Sequence, residues 1–474
     1  MLTIEQQSSD QSPLPPPAGE SRRRSVSIDV SGRRRHFWSF LGTFGTTLLL
    51  FAVFLVQGVI VANVLGPQAR GEFGTVLFFP RDLLLYTGLL GGVELITALA
   101  AKRSAGLPRL RAAAIRLALA TGGITAAVSF VASAVFLFAV NGLYLLPYVG
   151  LVCLFLPLEH AQLIVSGIDR GTNQFARYNL NRLLFAVVFP VAILVVFGLG
   201  INQWVPNCDL AWVCNLFVVS RLIGLLPTLR NLNFSTTAIL DRPVKSAEEI
   251  PCPADFESLR VTRMLKNGRG YAWSMLATEF FERLDILLII AIATMAQSGQ
   301  YFVAIPAAAL VTIVPNSLGV FSFNAGANAN FRVGSNTSLA ILLAVLAIQA
   351  VTAWLLYLVL PILIPMFFGD RFEPAIAFAI WLLPACALKG FLQFADGFLK
   401  GRGQAYVGVV ARVLSIGVML TSFAGLYGGL NLYAVPAAAA IGQLCSAIII
   451  SIAVVRFADR GGASSGNPMR EVEA

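Results

Sequence analysis

The 474-residue chain is 57% hydrophobic and only 12% charged, with a mean hydropathy of +0.77 and a formal charge of +10. A soluble domain carries about 25% charged residues, so a water-facing globule is excluded. Nucleic-acid binding is excluded as well, because the basic residues sit in short breaks between long apolar segments, as membrane topology requires.

Residues 1–36 are polar, with Pro13 and Pro15–Pro17 ahead of Arg22–Arg24 and Arg33–Arg35. They are too polar for a signal-peptide core and predict a disordered cytoplasmic tail. After them come segments long enough to cross roughly 30 Å of hydrocarbon at about 1.5 Å per residue. The first set predicts spans at Trp38–Val64, Val76–Ala101, Ala113–Val140, Leu143–Val165, Leu183–Leu199 and Leu210–Leu229. A polar break at Asn231–Gly268 follows, in which Phe256, Leu259, Arg260, Arg263, Met264 and Lys266 have the spacing of a basic amphipathic helix; a solvated linker fits equally well. The second set predicts Tyr271–Met295, Tyr301–Phe323, Leu339–Phe368, Pro374–Phe398, Ala405–Leu426 and Leu430–Val455. The expected fold class is therefore all-α integral membrane, with about twelve transmembrane helices in two six-helix lobes. The lobes occupy 37–230 and 269–456, joined by the linker 231–268 and followed by a cytoplasmic tail, 457–474.

With the N-terminus inside, 27 of the 34 Lys and Arg residues fall in inner loops and tails, against only Arg70 and Arg371 outside. One missed or false span would scramble every later loop, so the bias supports both the count and the orientation. Both termini are expected in the cytoplasm of a bacterial cell, with the chain in its inner membrane.

The halves carry a weak internal repeat. The first span exits into Gly71-Glu-Phe73 and the seventh into Gly299-Gln-Tyr-Phe302, 228 residues later; the same offset sets Tyr178 against Tyr406. Six spans per half is an even number, so the halves should be related by an axis along the membrane normal.

Several of these short stretches carry a family likeness. Val64-Leu-Gly-Pro-Gln-Ala-Arg-Gly-Glu-Phe73 resembles the Leu-Gly-Pro…Gly-x-Phe junction of bacterial polysaccharide and O-antigen flippases, in the multidrug/oligosaccharidyl-lipid/polysaccharide (MOP) exporter superfamily. Gly88-Leu-Leu-Gly-Gly-Val-Glu94 is similar to that family's glycine-rich stretch, and Phe280-Phe-Glu-Arg-Leu-Asp285 to its Arg-x-Asp segment. Gly167-x-x-Arg170 and Lys400-Gly-Arg-Gly403 match the turns after the fourth and tenth helices. The likeness runs from about Trp38 to Arg456, on motifs that report backbone shape rather than cargo. It implies two lobes that rock about a central cavity, carrying a lipid-linked oligosaccharide across the inner membrane for exopolysaccharide or O-antigen synthesis. Implied partners are that substrate, membrane lipids, a proton or sodium ion, and polymerase and chain-length proteins.

Charges inside the spans carry the chemistry. Each costs about 2.5–3.5 kcal/mol or more at mid-bilayer, so such residues line cavities or pair. Glu279, Glu282, Arg283 and Asp285 cluster near the middle of the seventh span. At about 100° per residue, Glu279 and Arg283 lie roughly 40° apart, close enough for an internal salt bridge or a shared cavity wall. Arg283, Arg81, Lys389, Arg221 and Arg412 are the candidate contacts for a phosphate or acidic sugar. Guanidinium forks suit that role because they bind phosphate oxygens in paired, charge-assisted bonds. For Arg221 and Lys389, pairing between helices is the alternative; Arg81 and Arg412 have interfacial snorkelling as theirs. Glu279, Glu282, Asp285 and Glu94 are the candidate cavity or ion-coupling carboxylates. Glu159 and His160 lie toward the inner end of the fourth span, where a lone His is more often hydrogen-bonded structure than a proton relay.

No phosphate-binding Gly-x-x-x-x-Gly-Lys-Ser/Thr loop is present. The two histidines, His36 and His160, cannot build a His-based metal cluster, so no metal or cofactor is expected. The readings left open are a lipid-linked oligosaccharide flippase, a multidrug or small-solute exporter of the same superfamily, and a membrane polysaccharide polymerase. The last usually needs a large outer loop, and every outer loop here is expected to be about ten residues or fewer.

Overall fold

The structure, a computed structural model, describes residues 30–90, 92–102, 107–172, 174–200, 209–230, 261–313 and 334–458, with isolated positions at 315, 318, 319, 322 and 326. Of the predicted tails 1–36 and 457–474, residues 1–29 and 459–474 lie outside the described residues, as does most of the predicted linker; 30–36, expected to be disordered, begin the first helix, and 457–458 end the last. From Thr43 onward the chain is one compact unit. All its described elements are helices and turns. They are α1 (Val30–Leu77), a π-helical stretch (Phe78–Leu83), α2 (Leu84–Gly88), α3 (Gly92–Lys102), α4 (Leu107–Ala139), α5 (Leu146–Cys153), α6 (Leu156–Gly171), α7 (Phe175–Gly198) and α8 (Asp209–Arg230). The second half contributes α9 (Val261–Ile292), α10 (Met295–Ala309), α11 (Ser335–Phe368), α12 (Ala375–Gly401), α13 (Ala405–Leu430) and α14 (Ala434–Ala458).

Helix occurs in each of the twelve predicted spans, with two systematic departures. The expected loop between the first two spans is absent. Gly66 alone breaks α1, at φ 69° and ψ 178°, and helix resumes at Pro67. A positive φ costs glycine nothing, and the proline ring is pre-set for a first helical position. The second departure is that helices overshoot their apolar segments. The fifth begins at Phe175 rather than Leu183, and the seventh at Val261 rather than Tyr271, so Arg263, Met264 and Lys266 belong to the start of α9 rather than to a separate surface helix. Hydropathy registers only the part in hydrocarbon, whereas the backbone ladder continues into the polar interface.

Among the described residues, seven helical stretches are long and apolar enough to cross a membrane, or eight if the pair α5–α6, bent by 40°, is one span. Leu48–Gly88 and Tyr406–Ala458, counted singly there, are each two helices: the first folds at Gly66, the second at Asn431, where φ is 53°. Large apolar side chains stand on the surface at high exposure, such as Phe138 at 73% and Ile362 at 67%. Water would penalise so much exposed hydrocarbon, and lipid does not. The chain is a multi-pass membrane protein.

The two halves meet at the end marked by Gly66, called here the junction end. A Cβ on Gly71 would strike the Met295 carbonyl, and one on Gly299 would strike the Pro67 carbonyl. Each would also reach the other glycine's amide nitrogen at 3.0 Å. Both contact pairs are related by the same shift of 228 residues, so the pseudo-twofold axis passes between these glycines. Asn63 Nδ2 donates to the Phe367 carbonyl at 2.9 Å, and Arg371 Nη2 to the Asn63 carbonyl at 3.4 Å. Beneath them Ala62, Phe78 and Leu83 share one buried apolar cluster with Ile286, Tyr301, Phe302, Leu360 and Phe368. The other predicted correspondence is out of register. Helices α7 and α13 start at Phe175 and Ala405, each preceded by a glutamine whose amide bonds five residues back, at 2.8 Å. That offset is 230, so Tyr178 and Tyr406 occupy different positions in their helices.

Gly71→Ala and Gly299→Ala should each destabilise the protein by roughly 1–3 kcal/mol through overpacking. The double variant should lose less than the sum, since one outward shift relieves both clashes. Thermal midpoints in detergent check this; unchanged midpoints for both single variants would remove the close crossing.

Candidate functional site

The charged residues of the spans assemble on both sides of the seam, just past the apolar cluster that closes the junction end. Along α9 the change is abrupt. Ile286, Ile289 and Ile290 are buried to 3% exposure or less, whereas Trp273 is 64% exposed, with Leu276 and Phe280 also open. Trp273 and Leu276 help enclose a cavity of about 220 Å³ with Leu84, Thr87 and Gly88 of α2 and with Thr121, Ile124, Thr125 and Val128 of α4. The glycine crossing thus seals one side of the charges, whereas on the other side α9 runs beside α2, α3 and α4 with a cavity between them.

Glu279, Glu282, Arg283 and Asp285 of α9 each have a partner, and the distances rank them. Lys389 Nζ, from α12, is 2.7 Å from Glu282 Oε2. Tyr301 Oη donates to Asp285 Oδ2 at 2.7 Å, from a side chain with no exposed surface. Arg283 is held more loosely. Its Nε lies 3.7 Å from Glu279 Oε2, beyond hydrogen-bonding distance, and has no hydrogen-bond partner among the described residues. Lys389 is therefore committed to pairing between helices, while Arg283 keeps its donors.

Across the seam, the turn carrying Arg81 and Asp82 is π-helical because Pro80 supplies no amide hydrogen and widens the ladder. The wider turn sends the two neighbours apart. Asp82 is within electrostatic reach of Arg283 and Glu279, in the other half. The Arg81 guanidinium sits 5.3 Å from the Phe217 ring, and no carboxylate lies within ion-pair distance of it among the described residues. Arg221 stacks on the same ring at 4.6 Å and on Phe185 at 4.0 Å.

None of the candidate cations lines the 220 Å³ cavity, and two of them are buried within their own half. Arg221 is buried, with its Nε 3.3 Å from Glu159 Oε1. Arg412 is also buried, with Nη2 bonded to Asp396 Oδ2 at 3.0 Å; the same carboxylate takes Lys400 at 2.9 Å. Their span positions match those of substrate-facing residues, but each lies inside its own half, where an unpaired charge would be too costly to keep. The Glu94 side chain lies outside the described residues. His160 is fully buried, with Nδ1 3.0 Å from Thr121 Oγ1, a structural arrangement.

Sequence reading missed Tyr301, Arg70 and the aromatic seats. Tyr301 was visible only as part of the Gly299-Gln-Tyr-Phe302 turn. Arg70, expected in an outer loop, has its guanidinium 5.9 Å from the Phe73 ring and 5.5 Å from that of Phe302 in the other half. The available signal was an aromatic residue two positions after each axial glycine, Phe73 and Tyr301, at the shift of 228.

The assembled geometry matches solved transporters. A multidrug-resistance MATE transporter of the MOP superfamily, in an inward-facing conformation, superposes with a TM-score of 0.67 at 16% identity, covering 88% of this chain and 96% of its own. The fold is that of the MATE transporters. The outward-facing form of such a transporter gives 0.58 at 15% identity, over 89% of this chain and 94% of its own. A eukaryotic MATE transporter gives 0.61 at 13%, over 91% and 100%. No family profile matches the sequence, and no curated protein matches it. At these identities the likeness concerns the MATE fold, not the cargo.

Arg221→Met should cost roughly 3–5 kcal/mol, because it strands the buried Glu159 carboxylate. Adding Glu159→Gln should recover much of that loss. Thermal unfolding and detergent-soluble yield of the single and double variants measure it; a single variant as stable as the unsubstituted protein would free Arg221 from its structural assignment.

Proposed function

We propose that this protein moves a lipid-linked oligosaccharide, of the undecaprenyl-pyrophosphate type, across the bacterial inner membrane by alternating access. The supporting observation is two guanidinium groups on opposite halves: Arg81, with no carboxylate within ion-pair distance among the described residues, and Arg283, whose Nε is 3.7 Å from Glu279. The helices that carry them also supply Leu84 and Leu276 to an apolar cavity of about 220 Å³. A molecule with an anionic head and a hydrocarbon tail has use for both. A lipid pyrophosphate carries roughly two negative charges and must be held where water is scarce, which guanidinium groups tolerate better than ammonium groups.

The working cycle follows from the balance of charge. At the seam Arg70, Arg81, Arg283 and Lys389 face Asp82, Glu279, Glu282 and Asp285, four of each sign. Arg283 can engage an incoming phosphate only by leaving Glu279. Protonation of Glu279, or capture of a sodium ion there, removes the competing carboxylate and ties loading to an ion gradient. With both termini cytoplasmic, as the charge bias predicts, the cavity side faces the cytoplasm and the Gly71–Gly299 crossing closes the periplasmic side. Polymerase and chain-length proteins would then receive the cargo. A multidrug exporter is the second reading: the multidrug-resistance transporter of like fold has this architecture, and Asp82, Glu279 and Asp285 offer a cationic drug its counter-charges. No group at the seam is arranged as a nucleophile with its base, and catalysis forms no part of the proposal.

In a strain whose exported polysaccharide depends on this protein, Arg283→Ala should abolish export while the variant still accumulates in the membrane. Full export would remove Arg283 from the substrate path. Intact export with new sensitivity to cationic dyes would favour the multidrug reading.

A further inference from the structure

A second cationic site lies away from the seam, at the opposite end of the first half, where α6 turns into α7. Arg170 is exposed at the end of α6, and α7 opens with Arg177, Tyr178, Asn181 and Arg182. The guanidinium groups of Arg170 and Arg182 lie 5.8 and 5.2 Å from the Tyr178 ring. Arg177 Nε is 3.7 Å from Asp169 Oδ1, again too far to hydrogen-bond, and Arg111 of α4 is within electrostatic reach of the same carboxylate. Two arginines thus share a single acid, and two more flank Tyr178 beside it. Behind them, Gln162, Ser166, Asp169, Arg177, Asn181 and Arg182 line a cavity of about 30 Å³. Gln162 Oε1 and Arg177 Nε are buried there without hydrogen-bond partners among the described residues.

Excess positive charge gathered in one place calls for an anion, and the neighbouring surface identifies its source. At about 100° per residue, Leu180, Leu184, Val191 and Val195 lie within roughly 60° of Arg177 around α7, progressively farther toward the membrane interior. They are exposed, from 38% at Leu184 to 55% at Leu180. A headgroup at Arg177 therefore has an apolar stripe directly along its chains, a feature with no value to free phosphate. We propose that the α6–α7 turn binds the phosphate headgroup of an anionic phospholipid, in the leaflet on the basic-turn side. Basic pockets between transmembrane helices are suited to such headgroups, and the Tyr178 ring sits at interfacial depth between two cations. The site is independent of the cargo path, since none of its residues lines the seam.

Full-length protein, exchanged into detergent containing equal phosphatidylglycerol and phosphatidylcholine of matched chains, tests it by native mass spectrometry. Phosphatidylglycerol should be retained about fivefold over phosphatidylcholine, with the preference shrinking as salt rises. Arg177→Gln/Arg182→Gln should bring retention down to the phosphatidylcholine level, whereas Arg456→Gln, removing a cation from the end of α14, should not. Equal retention of the two lipids by the unsubstituted protein overturns the proposal without recourse to any variant. Equal loss in Arg456→Gln overturns it in favour of general surface charge. Displacement of the retained lipid by millimolar inorganic phosphate also overturns it, in favour of a free-anion site.

Discussion

Two backbones crossing with no side chain between them organise this molecule. Pro67–Gly71 and Met295–Gly299 approach until amide meets carbonyl, which only glycine permits at the point of contact. The contact is reciprocal about the pseudo-twofold axis, so it behaves as a fixed point for both halves. Everything on the junction side of the charges follows from it. Asn63 ties to Phe367, Arg371 reaches back to the Asn63 carbonyl, and the apolar cluster around Phe78 and Tyr301 excludes water. On the far side α9 still runs beside α2, α3 and α4, but Phe280, Leu276 and Trp273 are exposed and a cavity lies between the helices.

The charges sit at the boundary between these regimes. In lipid an ion must be paired, hydrated or removed. Inside each half the pairs are buried: Arg412 is hydrogen-bonded to Asp396, and Arg221 lies 3.3 Å from Glu159 without a hydrogen bond from its Nε. At the seam they are graded, from the 2.7 Å contacts of Lys389 and Tyr301 to the 3.7 Å contact of Arg283 and to Arg81, which has no carboxylate partner among the described residues. Buried pairs orient helices, whereas loosely held cations beside an opening are free to exchange partners. That gradation distinguishes scaffold from working surface among residues of identical chemistry.

Much of the architecture was written in the order of residues. Helix placement, the two-half arrangement and the importance of the Leu-Gly-Pro junction all rest on local physics: the length of apolar runs, and the backbone freedom of Gly66 followed by the rigidity of Pro67. The repeat at Gly71 and Gly299 was legible because an axial contact tolerates one residue type. The repeat at Tyr178 and Tyr406 misled because a turn can absorb two residues without disturbing the helices on either side. The acid-and-base cluster of α9 was also legible, since no lipid-facing helix carries four charges in seven residues.

Which of those charges are spoken for was decided by tertiary structure alone. Nothing in the sequence distinguishes Arg221 and Arg412 from Arg81 and Arg283, because the distinction lies in residues far along the chain: Glu159, Phe185 and Phe217 for the first, Asp396 for the second. Likewise the second span was expected to run unbroken through Pro80, and only the π-turn around it parts Arg81 from Asp82. The amino-acid order determined that charges would be buried, since burial depends on hydropathy summed over a segment. Partnership depends on distances of a few ångströms between helices, and those exist only once the halves have packed.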